Sequence, residues 1–156
     1  MKIPFIQWLI QGIPECLAIA TMVLALAGHK LKFNKILIIG LSLAVFLYTI
    51  RLLPLSFGVH TILAILSLAI LVNLNIKSKF SLSLLISLVA YINLAIVETI
   101  LTWSILTVMG MSFEQALDDM MIRIVISLPQ VFVIFLTAVV ISKYRNKIIK
   151  TKETPI

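Results

Sequence analysis

Long apolar runs broken by short polar turns set the plan of this chain. The runs cover about residues 3–28, 36–53, 57–74, 82–109 and 122–141. About 20 helical residues, at about 1.5 Å each, cross a hydrocarbon layer about 30 Å thick. The pattern therefore predicts an all-α, polytopic membrane bundle of about five transmembrane helices. The link between the second and third runs is too short for anything but an antiparallel helical hairpin. Arg51-Leu52-Leu53-Pro54 leads through Leu55 and Ser56 into Phe57-Gly58-Val59-His60-Thr61, and the helical hairpin around it is expected to organise the other segments.

Polar breaks inside the runs add detail. Gln11-Gly12-Ile13-Pro14-Glu15 predicts a kink or an unwound turn in the first helix, because proline removes a backbone donor and glycine loosens the turn before it. Gly110 is expected to end the fourth helix. Ser112-Phe113-Glu114-Gln115 fits a capping box ahead of a short amphipathic turn. Pro129-Gln130 interrupts the fifth helix. Residues 1–142 read as the bundle and 143–156 as a basic tail, with no internal repeat.

Composition excludes an ordinary soluble domain. The chain has 156 residues, 62% hydrophobic and 12% charged, with a mean hydropathy of +1.18. A soluble domain carries about a quarter charged residues. The single Cys16 excludes an internal disulfide and a multi-cysteine metal site, and it reads as a small packing residue. The first run has only Lys2 before it and no small-x-small cleavage pattern after it, so we read it as a retained span.

Charge orients the bundle. Ten of the 13 Lys and Arg residues fall in the first link, the third link and the tail: Lys30, Lys32, Lys35, Lys77, Lys79, Lys143, Arg145, Lys147, Lys150 and Lys152. The positive-inside rule places these segments in the cytoplasm. The N-terminus is then outside and the C-terminus inside. Lys2, Arg51 and Arg123 fall outside, as does the acidic segment with Glu114, Asp118 and Asp119.

The few ions within the spans are the candidates for function, since a charge in hydrocarbon must face protein or water. Glu15 is near mid-depth on the first helix. Glu98 lies about 15 Å below the outer end of the fourth. Arg51, His60 and Arg123 lie near the outer surface. Glu15, Arg51, His60, Glu98 and Arg123 thus form a candidate outward-half site for a ligand or for ion pairs, with Glu98 expected to pair with Arg51 or Arg123. The structural alternatives are headgroup snorkelling for the arginines, a carbonyl cap for His60 and a bundle-holding ion pair for Glu98. Trp8 and Trp103 fit an aromatic belt.

No catalytic residue, metal site or cofactor motif emerges. A His-Glu-x-x-His pattern, a phosphate-cradling glycine loop and a serine nucleophile elbow are all lacking from the sequence. The ten inside cations suit anionic lipid headgroups. They also suit an anionic cytoplasmic partner such as RNA, although only Tyr144 interleaves an aromatic with the basic tail.

Gly12-Ile13-Pro14-Glu15, Arg51-Leu52-Leu53-Pro54 and Phe57-Gly58-Val59-His60-Thr61, with Glu98 and Pro129-Gln130 at further polar positions, carry a resemblance. In the order of these features the chain resembles the N-terminal membrane sensor region of Gram-positive histidine kinases of the peptide-quorum-sensing and sporulation type. The resemblance extends to Tyr144. That family continues into a dimerisation helix and an ATP-binding domain. Neither a phosphoacceptor histidine nor a nucleotide-binding domain is found in these 156 residues, so kinase activity is not expected of them. The resemblance implies a multi-pass protein of the bacterial cytoplasmic membrane that senses a signal or docks a separate cytoplasmic signalling protein.

Three functions remain in view at this stage. The first is a stand-alone membrane sensor or regulatory module. The second is a small transporter or channel subunit using Glu15 and Glu98. The third is a membrane anchor recruiting RNA or another anionic partner. A homo-oligomer suits any of them.

Overall fold

Among the described residues five long helices carry the chain, and the first of them begins with an irregular turn. A short helical turn, Phe5–Gln7, leads into a π-helical segment, Trp8–Gly12, which continues into α1, Ile13–Leu26. The others are α2, Phe33–Arg51; α3, Phe57–Ile76; α4, Phe80–Met109; and α5, Met120–Lys152. The computed structural model describes residues 5–53, 57–113 and 120–152, and the side chains of all of these except 7, 57, 120, 123 and 146–152. No strand occurs among the described residues. The expected capping box and the acidic residues Glu114, Asp118 and Asp119 lie outside them, as do Lys2 and Pro54.

Five helical stretches are long and apolar enough to cross a membrane: Trp8–Leu26, Phe33–Arg51, Gly58–Ile76, Phe80–Met109 and Ile124–Arg145. This is the organisation of a multi-pass membrane protein. The expected break in the first helix is present as the π-helical turn. Pro14 stands in the first turn of α1 and brings no N–H to the ladder, so the hydrogen bonds before it shift register. Gly110 closes α4 in the left-handed conformation, φ 64°, which lacks a steric penalty only in glycine.

The basic stretch from Lys143 continues α5 as helix through Lys152. Lys, Arg, Ile and Asn follow one another there without the glycine or proline that would stop α5. At the centre of the bundle is α1. Half of the α1 span is buried, against 28–33% for the other four. α1 packs on α5, α2 and α4, while α3 packs on α2 and α4. Small residues such as Ala18, Ala20 and Ala25 let neighbouring helices approach closely, and Cys16 and Ala18 through Ala25 are buried on all faces of α1. Packing there is close: a Cβ on Gly40 of α2 would come within 3.0 Å of the Leu17 Cα of α1.

Polar side chains within the helices mostly bond to their own backbone. The hydroxyls of Thr21, Thr49, Thr99, Ser104 and Thr107 each donate to the carbonyl four residues back, at 2.7–2.9 Å. Ser67, Ser127 and Thr137 donate three residues back. Such bonds keep a hydroxyl satisfied where no water is at hand.

One end of the bundle gathers the basic links, as the charge pattern predicts. The Lys35 ammonium donates to the Asn75 carbonyl in the last turn of α3, at 3.1 Å. The Arg145 guanidinium of α5 donates to the Leu26 carbonyl at the end of α1. Both cations meet the negative end of a helix dipole and its free carbonyls. In the α3–α4 turn the Asn73 amide donates to the Ser78 carbonyl, and the Ser78 and Ser83 hydroxyls share a hydrogen bond of 2.7 Å.

Candidate functional site

The opposite end of the bundle is held by aromatics. The Trp8 indole N–H donates to the Ala44 carbonyl of α2 at 3.1 Å. Its ring packs between Phe5 and Tyr48, with centroids 5.4 and 4.9 Å away. The π-helical turn is thereby fastened to α2. Trp8 is thus a packing residue as well as a candidate belt residue, whereas Trp103 is 75% exposed.

Near this aromatic cluster three of the five predicted site residues come within electrostatic range. Arg51, at the end of α2, acts on Glu15 of α1 and on Glu98 of α4, and Glu98 acts on Glu15. Three separate helices contribute these charges. Glu15 is half-buried, while Arg51 and Glu98 are exposed on the protein surface. None of the three forms a direct ion pair within 4.0 Å among the described residues. The expected Glu98–Arg51 partnership is an interaction through space, in which one cation serves two carboxylates.

Helix lengths explain why Glu98 reaches Arg51. α3 and α4 are joined by only Lys77–Lys79 and pack side by side. Counted from Ser78, Glu98 is level with Gly58, at the start of α3. It therefore stands beside the α2–α3 turn rather than deep in the bundle. The last 11 residues of α4, Thr99–Met109, rise about 16 Å beyond that level. A second small core holds this extension to the start of α5, with Leu106 and Ile126 buried against Ile105, Met111 and Ile122.

The remaining predicted residues are placed differently. His60 is half-buried in the first turn of α3. Its Nδ1 is buried without a hydrogen-bond partner, so no carbonyl cap is made through that nitrogen. No hydrogen bond or ion pair joins His60 to Glu15, Arg51 or Glu98 among the described residues. Arg123 is in α5, with its side chain outside the described residues. Lys30, Lys32, Lys77, Lys79 and Lys143 are exposed at the basic end, where Lys35 and Arg145 are engaged by carbonyls. The side chains of Lys147, Lys150 and Lys152 lie outside the described residues.

Two residues join the site that the sequence did not single out for it. Tyr91 of α4 and Cys16 of α1 lie within electrostatic range of Glu15 and Arg51. Cys16 is buried and free, as a packing residue would be. The Tyr91 hydroxyl is buried and has no hydrogen-bond partner. The signal for Tyr91 was its spacing: it precedes Glu98 by seven residues, which puts both on one face of α4.

Chemically, α1, α2 and α4 contribute two carboxylates, one guanidinium and one phenol to this region. Such a set can hold a ligand with a cationic group or exchange protons. Among the described residues no group of three or more His, Cys, Asp or Glu is placed to hold a metal ion. No family model, curated protein or solved structure matches this chain.

Proposed function

We propose that this chain is a multi-pass membrane sensor or regulatory module that acts through a separate cytoplasmic partner. The observation that carries this reading is the convergence of Glu15, Arg51 and Glu98 from three helices at the far end from the basic links. In this reading the N-terminus is outside a bacterial cytoplasmic membrane and the C-terminus inside. The cluster then lies in the outer half, where a signal arrives.

The packing supplies a route for the response. A change in the cluster's charge balance alters how α1, α2 and α4 pack around Glu15. α1 carries the change down the centre of the bundle, from Glu15 to Leu26. At the basic end Arg145 ties the end of α1 to α5, and α5 continues to Lys152 as the surface for a partner. Small shifts of packed helices are a recognised mode of switching. The resemblance to kinase sensor regions supports the same reading, since Glu15, Arg51 and Glu98 are among the residues that carry it. The exposed cations of the basic links bind anionic lipid, at about 1 kcal/mol each near the surface.

The test is hydrogen exchange on the full chain in lipid nanodiscs, wild type against Arg51→Gln. The sensor reading expects altered protection at residues 143–152 as well as around Arg51. Changes confined to the Arg51 end would refute it.

A further inference from the structure

A row of hydroxyls runs along α4 from the basic end toward the charge cluster. Ser83, Ser87 and Tyr91 follow at four-residue spacing, and Glu98 stands seven residues beyond Tyr91, so all four share a face. Ser83 and Ser87 are completely buried. The row opens at the basic end through the 2.7 Å bond between Ser83 and Ser78 of the turn. It runs toward the cluster at its other end, where Glu98 stands about two helical turns beyond Tyr91 on the same face. From Ser78 to Glu98 is 20 residues, or about 30 Å of helix, the thickness of a bilayer's hydrocarbon layer.

The middle of the row does not behave like the other hydroxyls of the bundle. Eight serine and threonine hydroxyls elsewhere bond back to their own helix. Ser87 Oγ and Tyr91 OH make no hydrogen bond at all, although both are buried. An unmade bond on a buried hydroxyl costs about 1–3 kcal/mol. A hydroxyl can both give and take a proton, so an unsatisfied pair between an acid cluster and an open turn suits transfer rather than support.

We infer that Ser83, Ser87 and Tyr91 form a proton path linking the Glu15–Glu98 cluster to the basic end of the bundle. Four residues, about 6 Å of helical rise, separate Ser83 from Ser87 and Ser87 from Tyr91, a gap that one water molecule can bridge with a hydrogen bond to each side. In each step a donor O–H bond breaks as a new O–H bond forms on the next oxygen. A carboxyl of the cluster gives its proton toward Tyr91 as Tyr91 passes its own through water to Ser87; Ser87 passes its own through water to Ser83, Ser83 to Ser78, and Ser78 to bulk water at the turn, while the carboxylate left behind takes a proton from water at the other end. The net change is one proton moved across the bundle, and rotation of the hydroxyls resets the row. Arg51 holds the cluster's charge in balance, and Cys16 borders the row from α1.

The path uses the same cluster as the sensor reading but does not depend on it, and the two are measured separately. The test reconstitutes the full chain in liposomes carrying a trapped pH dye, with a potassium gradient and valinomycin to drive proton entry. Uptake at least 10-fold above protein-free vesicles is expected. Tyr91→Phe and Ser87→Ala should each reduce it 10-fold or more, while Ser104→Ala, outside the row, should leave it unchanged. Gel filtration of each variant confirms folding, and if Tyr91→Phe misfolds then Ser87→Ala decides alone. Uptake equal to protein-free vesicles, or uptake indifferent to the row variants, would overturn the path. It would leave the hydrogen-exchange test of sensing untouched.

Discussion

Arg145 donates a hydrogen bond to the carbonyl oxygen of Leu26, 119 residues earlier in the chain. The last helix thereby closes over the end of the first. Gly28 makes room for it: φ there is +74°, and an added Cβ would stand 2.9 Å from the guanidinium carbon. Arg145→Ala should lower stability by about 1 kcal/mol, given its exposed setting. Gly28→Ala should cost about as much, through left-handed strain and the crowded arginine. Detergent-titrated unfolding in mixed micelles reads both. Unchanged midpoints would show the contact to be incidental.

The α1–α2 contact should be the least forgiving in the bundle. A Cβ on Gly40 would meet the Leu17 side chain at 2.7 Å and its Cα at 3.0 Å. The side chain can move, but the backbone of the central helix cannot do so without disturbing three neighbours. Gly40→Ala should destabilise by about 1–3 kcal/mol. Gly58→Ala has open space around its Cβ and should be nearly neutral.

Arg51 acts electrostatically on two carboxylates, so its loss should be worse alone than together with theirs. Arg51→Gln leaves the repulsion of Glu98 on Glu15 uncompensated. Glu98→Gln added to it relieves that repulsion. A double-mutant cycle in unfolding free energy should give a coupling of about 0.5–1 kcal/mol between Arg51 and Glu98. Additive effects would mean that the two do not sense each other.

Orientation can be read by labelling. With the buried Cys16 replaced by serine, Lys79→Cys should react with a membrane-impermeant maleimide only after cells are opened, and Leu52→Cys in intact cells. The reverse pattern would invert the protein and move the cluster to the cytoplasmic half.

Much of the fold was legible because it is written in lengths. Apolar runs matched to a bilayer, punctuated by lysine-rich turns, predict five helices and the convergence of Lys35 and Arg145 on one end. Gly12 and Pro14 announce the irregular turn, and Gly110 announces the end of α4. The central place of α1 was not legible from length. It follows from small residues on every face, a signal of packing rather than of span. The cluster was half legible. Glu15, Arg51 and Glu98 stand out as charges in apolar runs, but their meeting depends on α4 being longer than α3, which sets Glu98 level with the α2–α3 turn. Tyr91 was overlooked because a tyrosine in an apolar helix is an ordinary residue until its hydroxyl is found unpartnered. His60 stood out by type, but nothing in the packing ties it to the cluster.

The claim most worth testing is that charge at the Arg51 end sets helix packing at the basic end. Spin labels at the exposed positions Lys30 and Lys143 report the spacing of the α1–α2 link and α5 there. Pulsed dipolar spectroscopy on the full chain in nanodiscs should show a displaced or redistributed distance in Arg51→Gln and in Glu98→Gln relative to wild type. Identical distributions in all three would contradict the account and leave the cluster a local structural feature.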